Sequence, residues 1–441
     1  MLITHARLAT LGADPRLVDD GALLIQGQRI AALGTTADLA RRFPDVERWD
    51  AAGQLVLPAS ICAHTHFYGA FARGMGIPGE PPRTFPQILE RLWWRLDRAL
   101  TLDDVRYSAL VCLVDAVRHG TTTLIDHHAS PNAIEGSLEA IAGAVREAGL
   151  RASLCYEVTD RDGAQRARVG IEENLRFAEL ARGDPQLAAS FGLHASLTLS
   201  DATLADCVAA AADADLGFHV HVAEGISDQQ DSLRKSGQRV VHRLGDAGVL
   251  GPATIAVHCV HVDRSEIERL ADTGTWVTHQ PRSNMNNAVG VAPVEEMLDG
   301  GVNVGLGNDG FSNQMFAEMK AAYFVHKLDQ GDPQAMPGNV VMDLAYANNA
   351  RLARVFWPDQ PLGQLSEGAA ADLVFVDYQP TTPLSADNLP WHLLFGIEAS
   401  MITATVCAGR VLMRRRQLLT LDEEAITARS RELAGAAWAR L

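Results

Sequence analysis

Leu55-Val56-Leu57-Pro58-Ala59-Ser60-Ile61-Cys62-Ala63-His64-Thr65-His66 is an apolar run that ends in two histidines. The apolar part predicts a buried strand. Side-chain direction alternates with period 2 along a strand, so His64 and His66 point to the same side. Two imidazoles presented from one short element are ligands that a cation such as Zn2+ accepts. The stretch therefore indicates a buried strand with a metal site at its end.

Seven further strand-like segments follow it in the chain. They cover residues 122–126, 152–156, 188–194, 217–222, 253–258, 276–279 and 303–307. Amphipathic Ala- and Leu-rich stretches lie between them, for example residues 137–147 and 171–181, and these predict helices. Eight strands alternating with helices predict an α/β fold, a (β/α)8 TIM-type barrel with parallel strands.

Both ends of the chain read as short strands with turns. Residues 22–26 and 29–33 flank Gly27-Gln28 as a hairpin, and residues 371–377, 403–408 and 411–413 are strand-like near the other end. We therefore predict a small β-sandwich domain built from both chain termini, residues 1–58 and 365–441. The hydrolase barrel would occupy residues 59–364.

Composition limits the partners and the compartment. The formal net charge of -16 over 441 residues argues against a nucleic-acid phosphate partner and against an anionic membrane surface. The six cysteines are scattered singly with no Cys-x-x-Cys pair, so neither a disulfide framework nor a zinc knuckle is indicated. We see no signal peptide at Met1–His5 and no apolar run of about 20 residues that would span a membrane. We expect a cytoplasmic protein.

Titratable side chains fall at the ends of the predicted strands. They are His64 and His66, then Asp126, His127 and His128, then His194, then His219, His221 and Glu224, then His258 and His261, then His279, and finally Asp309. The carboxyl ends of all eight barrel strands meet at one face, where active sites of this fold are built. The sequence therefore predicts one active site that gathers these residues.

A metal-dependent hydrolysis follows from this set. We expect the metal ligands to be His64, His66, His221 and Asp309. They leave a position for a water molecule, whose pKa the ion lowers towards neutrality. Glu224 lies three residues beyond His221, close enough to take the water's proton and return it to a leaving nitrogen. His258 either holds the hydroxide or polarises the substrate, and Asp309 would also serve the catalytic step.

One divalent ion per chain is expected. A second ion in such a barrel ordinarily needs a bridging anion such as a carbamylated lysine. The chain has only Lys235, Lys320 and Lys327, and none stands at a strand end. Zn2+ is the expected ion and Fe2+ the alternative, since both accept this ligand set.

The motifs HTHFYGAFARG, GTTTLIDHH, HVHVAE, VHCVH, HQPRSNMN and GLGNDG resemble the amidohydrolase superfamily, in its cytosine/guanine deaminase and triazine hydrolase branch. LWWRLDRAL, DHHASP, RSNMNN and ADNLPWHLLFG are most similar to SsnA-like aminohydrolases. The resemblance covers essentially the whole chain. It implies the same metal ligands, Glu224 as proton shuttle, His258 beside the activated water and His194 facing the substrate. The relatives also imply a homodimer or a larger homo-oligomer.

The chain departs from the family pattern at four positions. Relatives usually have Pro and an aromatic residue where Ser196 and Leu197 stand. Many deaminases of this branch have glutamine at the position of Gly69, and Thr or Ser at that of Asn308. The departures leave the metal chemistry intact but weaken any borrowed substrate.

Several candidates for substrate contact keep two interpretations. Trp93 or Trp94 stacks on a flat ring, or both simply pack on a helix. Arg73 pairs with a substrate carbonyl or braces a loop. At most one of His127 and His128 faces the pocket, and we assign His128.

Three more residues are open in the same way. His219 shares the face of His221 and is expected to be a structural histidine of the interior. His279 and Asn284 close the pocket or orient a ligand.

We expect an aminohydrolase, a deaminase that attacks an sp2 C–N bond of a small nitrogen heterocycle with metal-activated water. Analogy with relatives makes the substrate purine-like. The first alternative is a ring-opening or amide-cleaving cyclic amidohydrolase with the same mononuclear centre. The remote alternative is a catalytically silent binding subunit.

Overall fold

The computed structural model describes residues 1–12, 15–77 and 79–441. The amino-terminal segment is mainly strands, with one short helix. Its elements are β1 (Leu2–Ala9), β2 (Leu17–Gln26), β3 (Arg29–Thr35), α1 (Thr36–Arg42), β4 (Arg48–Asp50) and β5 (Leu55–Pro58). The hairpin predicted at Gly27-Gln28 joins β2 to β3 in antiparallel pairing.

The first half of the middle region alternates strands with helices. Its elements are β6 (Ser60–Thr65), a 3-10 helix (Phe67–Ala72), α2 (Phe85–Ile88), a π-helical segment (Leu89–Trp93), α3 (Trp94–Ala99), α4 (Leu102–Arg118), β7 (Thr121–Asp126), α5 (Ser137–Ala148), β8 (Arg151–Leu154), α6 (Ala164–Ala181), β9 (Leu187–Ala189), β10 (Phe191–Ala195) and a 3-10 helix (Ser196–Thr198). Helix α4 begins with a capping box in which Thr101 and Asp104 bond reciprocally.

The same alternation continues to residue 356. The elements are α7 (Asp201–Asp213), β11 (Phe218–Val222), α8 (Ile226–Ser236), α9 (Val240–Asp246), β12 (Ile255–His258), α10 (Arg264–Asp272), β13 (Trp276–His279), α11 (Pro281–Asn287), α12 (Val294–Asp299), β14 (Asn303–Leu306), α13 (Met315–Gln330), α14 (Gly338–Met342), a π-helical segment (Asp343–Asn348) and α15 (Asn349–Phe356). All the pairings between the named strands of the middle region, β6 to β14, are parallel.

The carboxy-terminal elements return to the first sheet. They are β15 (Leu373–Val376), α16 (Leu389–Phe395), a 3-10 helix (Ala399–Met401), β16 (Ile402–Cys407), β17 (Arg410–Arg414), β18 (Gln417–Leu418) and α17 (Glu423–Trp438). The resulting sheet has the order β18-β17-β16-β15-β5-β1-β2-β3, and β4 pairs with β1. Strands from both ends of the chain thus share one nine-stranded sheet.

The middle strands form two parallel sheets in sequence order, β6-β7-β8-β9 and β10-β11-β12-β13-β14. These two sheets adjoin at two places, which we call seams. At the first seam, only Ser190 separates β9 from β10. At the second seam, Thr65 pairs with Asp309, and the Asn308 amide donates to the His64 carbonyl at 2.9 Å. The end of β6 therefore lies beside the end of β14, which brings the first and last strand-end residues together.

The apolar run 55–61 is not the single strand expected from its sequence. It breaks at Ala59, whose amide donates to the Asp372 carbonyl, while the Ser60 amide donates to the Gly120 carbonyl. The first half, β5, pairs with β1 and β15, and the second half, β6, pairs with β7. One short stretch therefore contributes to the nine-stranded sheet through β5 and to the four-stranded parallel sheet through β6.

A buried ion pair links Asp372, next to β15 of the nine-stranded sheet, to the four-stranded parallel sheet that contains β8. Arg151 in β8 donates through Nη1 to Asp372 Oδ2 at 2.6 Å, and both side chains are buried. Burial alone would raise the pKa of the Asp372 carboxyl, but the Arg151 guanidinium outweighs it and holds this pKa below its usual range. Among the described residues, no helix has the length and apolar character that a membrane span requires.

Candidate metal centre and active site

Three histidines and one aspartate converge where β6, β11 and β14 end. His66 Nε2 lies 3.2 Å from His221 Nε2 and 3.1 Å from Asp309 Oδ1, and His64 Nε2 lies 3.8 Å from the same oxygen. Asp309 takes a left-handed backbone conformation, with φ at 57°, and its amide donates to the His64 carbonyl. Such strained conformations concentrate at functional sites. The structure thus brings together all four residues expected to bind a metal.

Hydrogen bonds fix which nitrogen of each ring carries the proton. His66 Nδ1 donates to the His127 carbonyl at 2.5 Å, and His221 Nδ1 donates to the His194 carbonyl at 2.8 Å. A carbonyl oxygen only accepts, so both Nδ1 atoms carry protons, and in the neutral rings both Nε2 atoms present lone pairs. His64 Nδ1 contacts His219 Nε2 at 2.8 Å, and its own Nε2 is buried without a hydrogen-bond partner in the described part of the chain.

This donor set fits a divalent cation. The two Nε2 atoms, 3.2 Å apart, need a positive charge between them, either a proton on His66 or a metal ion that both rings bind. Donors at about 2.0–2.1 Å from Zn2+ and at tetrahedral angles are separated by roughly 3.3 Å, close to the 3.2 and 3.1 Å from His66 Nε2 to His221 and Asp309. Burial lowers the pKa of His64 to about 3 and that of His221 well below its usual value, so both rings are neutral, as ligands must be.

The cluster also attracts positive charge. Burial opposes protonation of His66, but the hydrogen bond and the charge of Asp309 outweigh it and raise the pKa of His66 to about 9. Ser283 Oγ donates to the second oxygen of Asp309, which orients this carboxylate. The chemistry of the side chains therefore matches the metal centre expected from the sequence.

Glu224 and His258 lie beside Asp309. Glu224 Oε2 is 3.5 Å from His258 Nε2, and that nitrogen is 3.9 Å from Asp309 Oδ2. His258 Nδ1 donates to Asn284 Oδ1 at 2.9 Å, which leaves its Nε2 as an acceptor. Burial raises the pKa of the Glu224 carboxyl, and Asn287 Nδ2 donates to Glu224 Oε1 at 3.2 Å. Glu224 is therefore suited to carry a proton at this position.

A cleft of about 660 Å³, counted out to open solvent, opens onto the centre. Its volume is in the range of small-molecule sites. Its wall includes His66, His221, Glu224 and Asp309, together with Tyr68, Phe85, Leu89, Trp93, Trp94, Asp97, Glu157, His194, Ala195, Leu197, Gly225, Asp228 and Asn287. Aromatic side chains next to polar groups suit a flat heterocycle.

The structure brings two of the four expected substrate-contact residues to this cleft. His194 and Trp93 line it, and Trp94 does so as well, although only one of the two tryptophans was expected there. His128 does not. It is fully buried, its Nε2 bonds Ser130 Oγ at 2.9 Å, and the Tyr68 ring stands 5.9 Å away between centroids.

Arg73 also lies away from this cleft. It is exposed and lines a neighbouring cleft that also contains Trp93 and Asp309. It follows a 3-10 helix rather than a strand end, and it is not among the residues that line the cleft of His194 and Trp93.

The open alternatives for three further histidines can be read from their contacts. His219 is buried and holds His64, in agreement with a structural histidine. His279 is buried against His326, with 3.2 Å between their Nε2 atoms, and does not line the cleft. His127 is also buried and stacks on His219 at 4.5 Å.

Sequence reasoning missed Glu157. This side chain is 2 % exposed, lines the cleft and approaches His66 Nδ1 at 3.5 Å and His194 Nε2 at 3.8 Å. Glu157 follows β8 at the end of the third strand, the one strand end from which no residue had been selected. Its position after a strand was the available signal.

Comparisons with known proteins agree with this geometry. Residues 55–412 match the model of the Amidohydrolase family, and residues 21–45 match an Imidazolonepropionase-like composite domain of bacteria. A 5-methylthioadenosine/S-adenosylhomocysteine deaminase of Haloarcula marismortui is 35% identical over 87% of this chain and 87% of its own length. A 5'-deoxyadenosine deaminase of Methanosarcina mazei is 30% identical over 97% of this chain and 95% of its own length.

A solved structure shares the fold. An adenosine deaminase from Xanthomonas campestris, crystallised with bound zinc, superposes with a TM-score of 0.86 at 24% identity, covering 99% of this chain and 98% of its own. The resemblance inferred from the motifs is thereby confirmed: the chain belongs to the amidohydrolase family.

Proposed function

We propose that this amidohydrolase is a metal-dependent deaminase that releases ammonia from an sp2 carbon of a purine-like heterocycle. The observation that carries the proposal is the convergence of three imidazole rings and Asp309 beside Glu224, at the floor of an aromatic cleft. Relatives at 30–35% identity are named as deaminases of adenine nucleosides, which supports a purine-like substrate.

We propose one divalent ion per chain, Zn2+ with Fe2+ as the alternative, held by His64, His66, His221 and Asp309. Such an ion supplies a hydroxide nucleophile at neutral pH by lowering the pKa of water. The bound zinc of the Xanthomonas campestris structure supports zinc.

Glu224 performs the proton transfers in this proposal. Its carboxylate takes the proton of the attacking water and returns it to the departing amino nitrogen, so that ammonia leaves as a neutral molecule. His258 holds the water or the substrate nitrogen from the other side, since its Nε2 lies 3.5 Å from Glu224. Trp93 and Trp94 flank the heterocycle, and His194 contacts its edge.

The proposed architecture is a closed (β/α)8 barrel of residues 59–364 with a β-sandwich domain of residues 1–58 and 365–441. The two seams described above support closure, because Ser190 alone separates β9 from β10 and Thr65 pairs with Asp309. A cytoplasmic location and a homodimer that acts on a small molecule, without nucleic acid or membrane, complete the proposal.

An ammonia-release screen tests the reaction. The metal-loaded protein is incubated with a purine and pyrimidine panel, with metal content and product mass measured in parallel. Deamination replaces an amino group by oxygen and releases ammonia. Ring opening instead adds the mass of one water with no ammonia, and would favour a cyclic amidohydrolase. Stoichiometric metal with no product from any compound would favour a silent binding subunit.

A further inference from the structure

Glu157 is a buried carboxylate on the wall of the cleft. In the part of the chain that the structure describes, its Oε1 is buried with no hydrogen-bond partner. Its nearest nitrogens are His127 Nδ1 at 3.4 Å, His66 Nδ1 at 3.5 Å and His194 Nε2 at 3.8 Å. The His66 proton is already given to the His127 carbonyl. His127 Nδ1 has no hydrogen-bond partner of its own among the described residues and faces Oε1, so Oε2 beside His194 is the oxygen that requires a donor from elsewhere.

His194 presents a second acceptor at the same place. The Thr198 hydroxyl donates its one hydrogen to the Ala195 carbonyl at 3.1 Å. It therefore accepts from His194 Nδ1 at 2.7 Å, which places the proton on Nδ1 and leaves Nε2 with a lone pair. Two acceptors thus stand 3.8 Å apart on the wall of the cleft, with no donor between them.

The other carboxylates of the wall are already engaged. Asp97 pairs with Arg161, and Asp228 accepts from the amides of Leu197 and Ala223. Among the described residues that line the cleft, none is lysine or arginine. Outside the metal centre, the described wall therefore offers no lysine or arginine to pair with a phosphate or a carboxylate on a substrate.

We propose that Glu157 and His194 form an acceptor subsite that holds N–H or O–H donor groups of the substrate. By this proposal Glu157 makes the cleft select neutral or protonated heterocycles over ones that carry a phosphate or carboxylate. The inference rests on the proposed function and names its substrate class. It separates this chain from relatives named for S-adenosylhomocysteine, a compound with a carboxylate.

Matched substrates test the selection. Adenosine and adenosine 5'-monophosphate share the base and differ by the phosphate. With the metal-loaded wild-type enzyme we expect kcat/KM for adenosine to exceed that for the monophosphate about 100-fold or more, because like charges facing each other in a cleft are strongly unfavourable. Equal kcat/KM values for the pair would overturn the inference and leave the deaminase assignment standing.

Glu157→Gln tests the residue. The substitution keeps the shape but replaces an acceptor oxygen by an amide donor, so we expect kcat/KM for adenosine to fall about tenfold or more and the adenosine-to-monophosphate ratio of kcat/KM to narrow about tenfold. Glu179→Gln on α6, where the side chain is exposed, is the matched control and should change neither value. A ratio that does not move in Glu157→Gln would overturn the role of Glu157.

Two further measurements keep the test decisive. If no purine is deaminated, the proposed function fails, and calorimetric binding of adenosine and the monophosphate decides the inference: tighter adenosine binding supports it, and equal or undetectable binding overturns it. If wild type holds two ions and Glu157→Gln loses one, Glu157 is a metal ligand and the subsite does not exist. If Glu157→Gln does not fold, Thr198→Val replaces it. That change frees His194 Nδ1, so kcat/KM for adenosine should fall about tenfold, and an unchanged value would refute the subsite.

Discussion

Replacing Glu224 by glutamine separates proton transfer from metal binding. The substitution keeps the size of the side chain and its contact with Asn287, because a glutamine oxygen still accepts from Asn287 Nδ2 at the 3.2 Å position. It removes the group that takes and returns a proton. The described contacts of the Glu224 carboxylate go to His258 and Asn287 and not to His64, His66 or His221, so the ion should stay in place.

The size of the effect follows from the role. A positioned general acid–base group contributes about 10²–10⁴-fold to a rate, equivalent to about 3–5 kcal/mol of activation free energy. Glu224 serves both the attack and the departure of ammonia in the proposed reaction. We therefore expect kcat of Glu224→Gln to fall about 10³-fold or more, with KM changed only a few-fold since the aromatic walls are intact.

The assay combines ammonia release with metal analysis on the same preparations. Asp309→Asn is the comparison variant, since it weakens a ligand and should lose both metal and activity. A Glu224→Gln protein that loses its metal as Asp309→Asn does would identify Glu224 as a ligand and refute the assignment. Retention of more than about a tenth of wild-type kcat would show that another group moves the proton.

Three other predictions concern the scaffold and the wall. Asp372→Asn leaves Arg151 buried and unpaired, so the free energy of unfolding should fall by about 3–5 kcal/mol in chemical denaturation. The depressed pKa of Asp372 means that its contribution is present above the unfolded value of about 3.9 and is lost as pH falls through the folded pKa. The stability of the variant should lack this acid dependence, and equal acid profiles would contradict the reasoning. His219→Leu removes the partner of His64 Nδ1 and should weaken metal affinity about 10–100-fold in competition with a chelator, whereas unchanged affinity would show that packing alone orients His64. Trp93→Ala should raise KM about tenfold or more through lost stacking, with a smaller change in kcat, and an unaltered KM would remove Trp93 from the substrate wall.

The convergence of the strand-end residues was predictable from the sequence because it depends on two regular features of the fold, the side-chain alternation along a strand and the parallel order of the strands. Period 2 places His64 and His66 on one side of β6, and parallel strands in sequential order bring their carboxyl ends to one edge. His221 and Asp309 then meet them at 3.1–3.8 Å, although they are far away in the sequence. Helices such as those over residues 137–147 and 171–181 were predictable because apolar residues recur along them at helical spacing.

The loops were not predictable in this way. His128 follows β7 by two residues, and its direction depends on the loop path that ties its ring to Ser130. Arg73 lies beyond a 3-10 helix, where no period relates its side chain to the strand before it. Glu157 was missed because the candidate residues were recognised mainly by histidines at strand ends, and the segment after β8 contains no histidine. Loop residues need coordinates, whereas strand ends need only the register.

The tautomers at the centre depend on strand order rather than on side-chain identity. The carbonyl that fixes His66 belongs to His127, after the neighbouring strand β7, and the carbonyl that fixes His221 belongs to His194, on the neighbouring strand β10. Two of the three expected ligand histidines, His66 and His221, are thus oriented by the backbone beside them, whereas His64 is held by the side chain of His219. A backbone acceptor survives almost any substitution, so the metal-binding tautomers persist while the side chains of those same strand ends vary. His194 illustrates the result: its carbonyl accepts from His221 Nδ1, while its ring lines the cleft. The parallel sheet therefore fixes the chemistry of the centre and leaves its specificity to the residues that face the cleft.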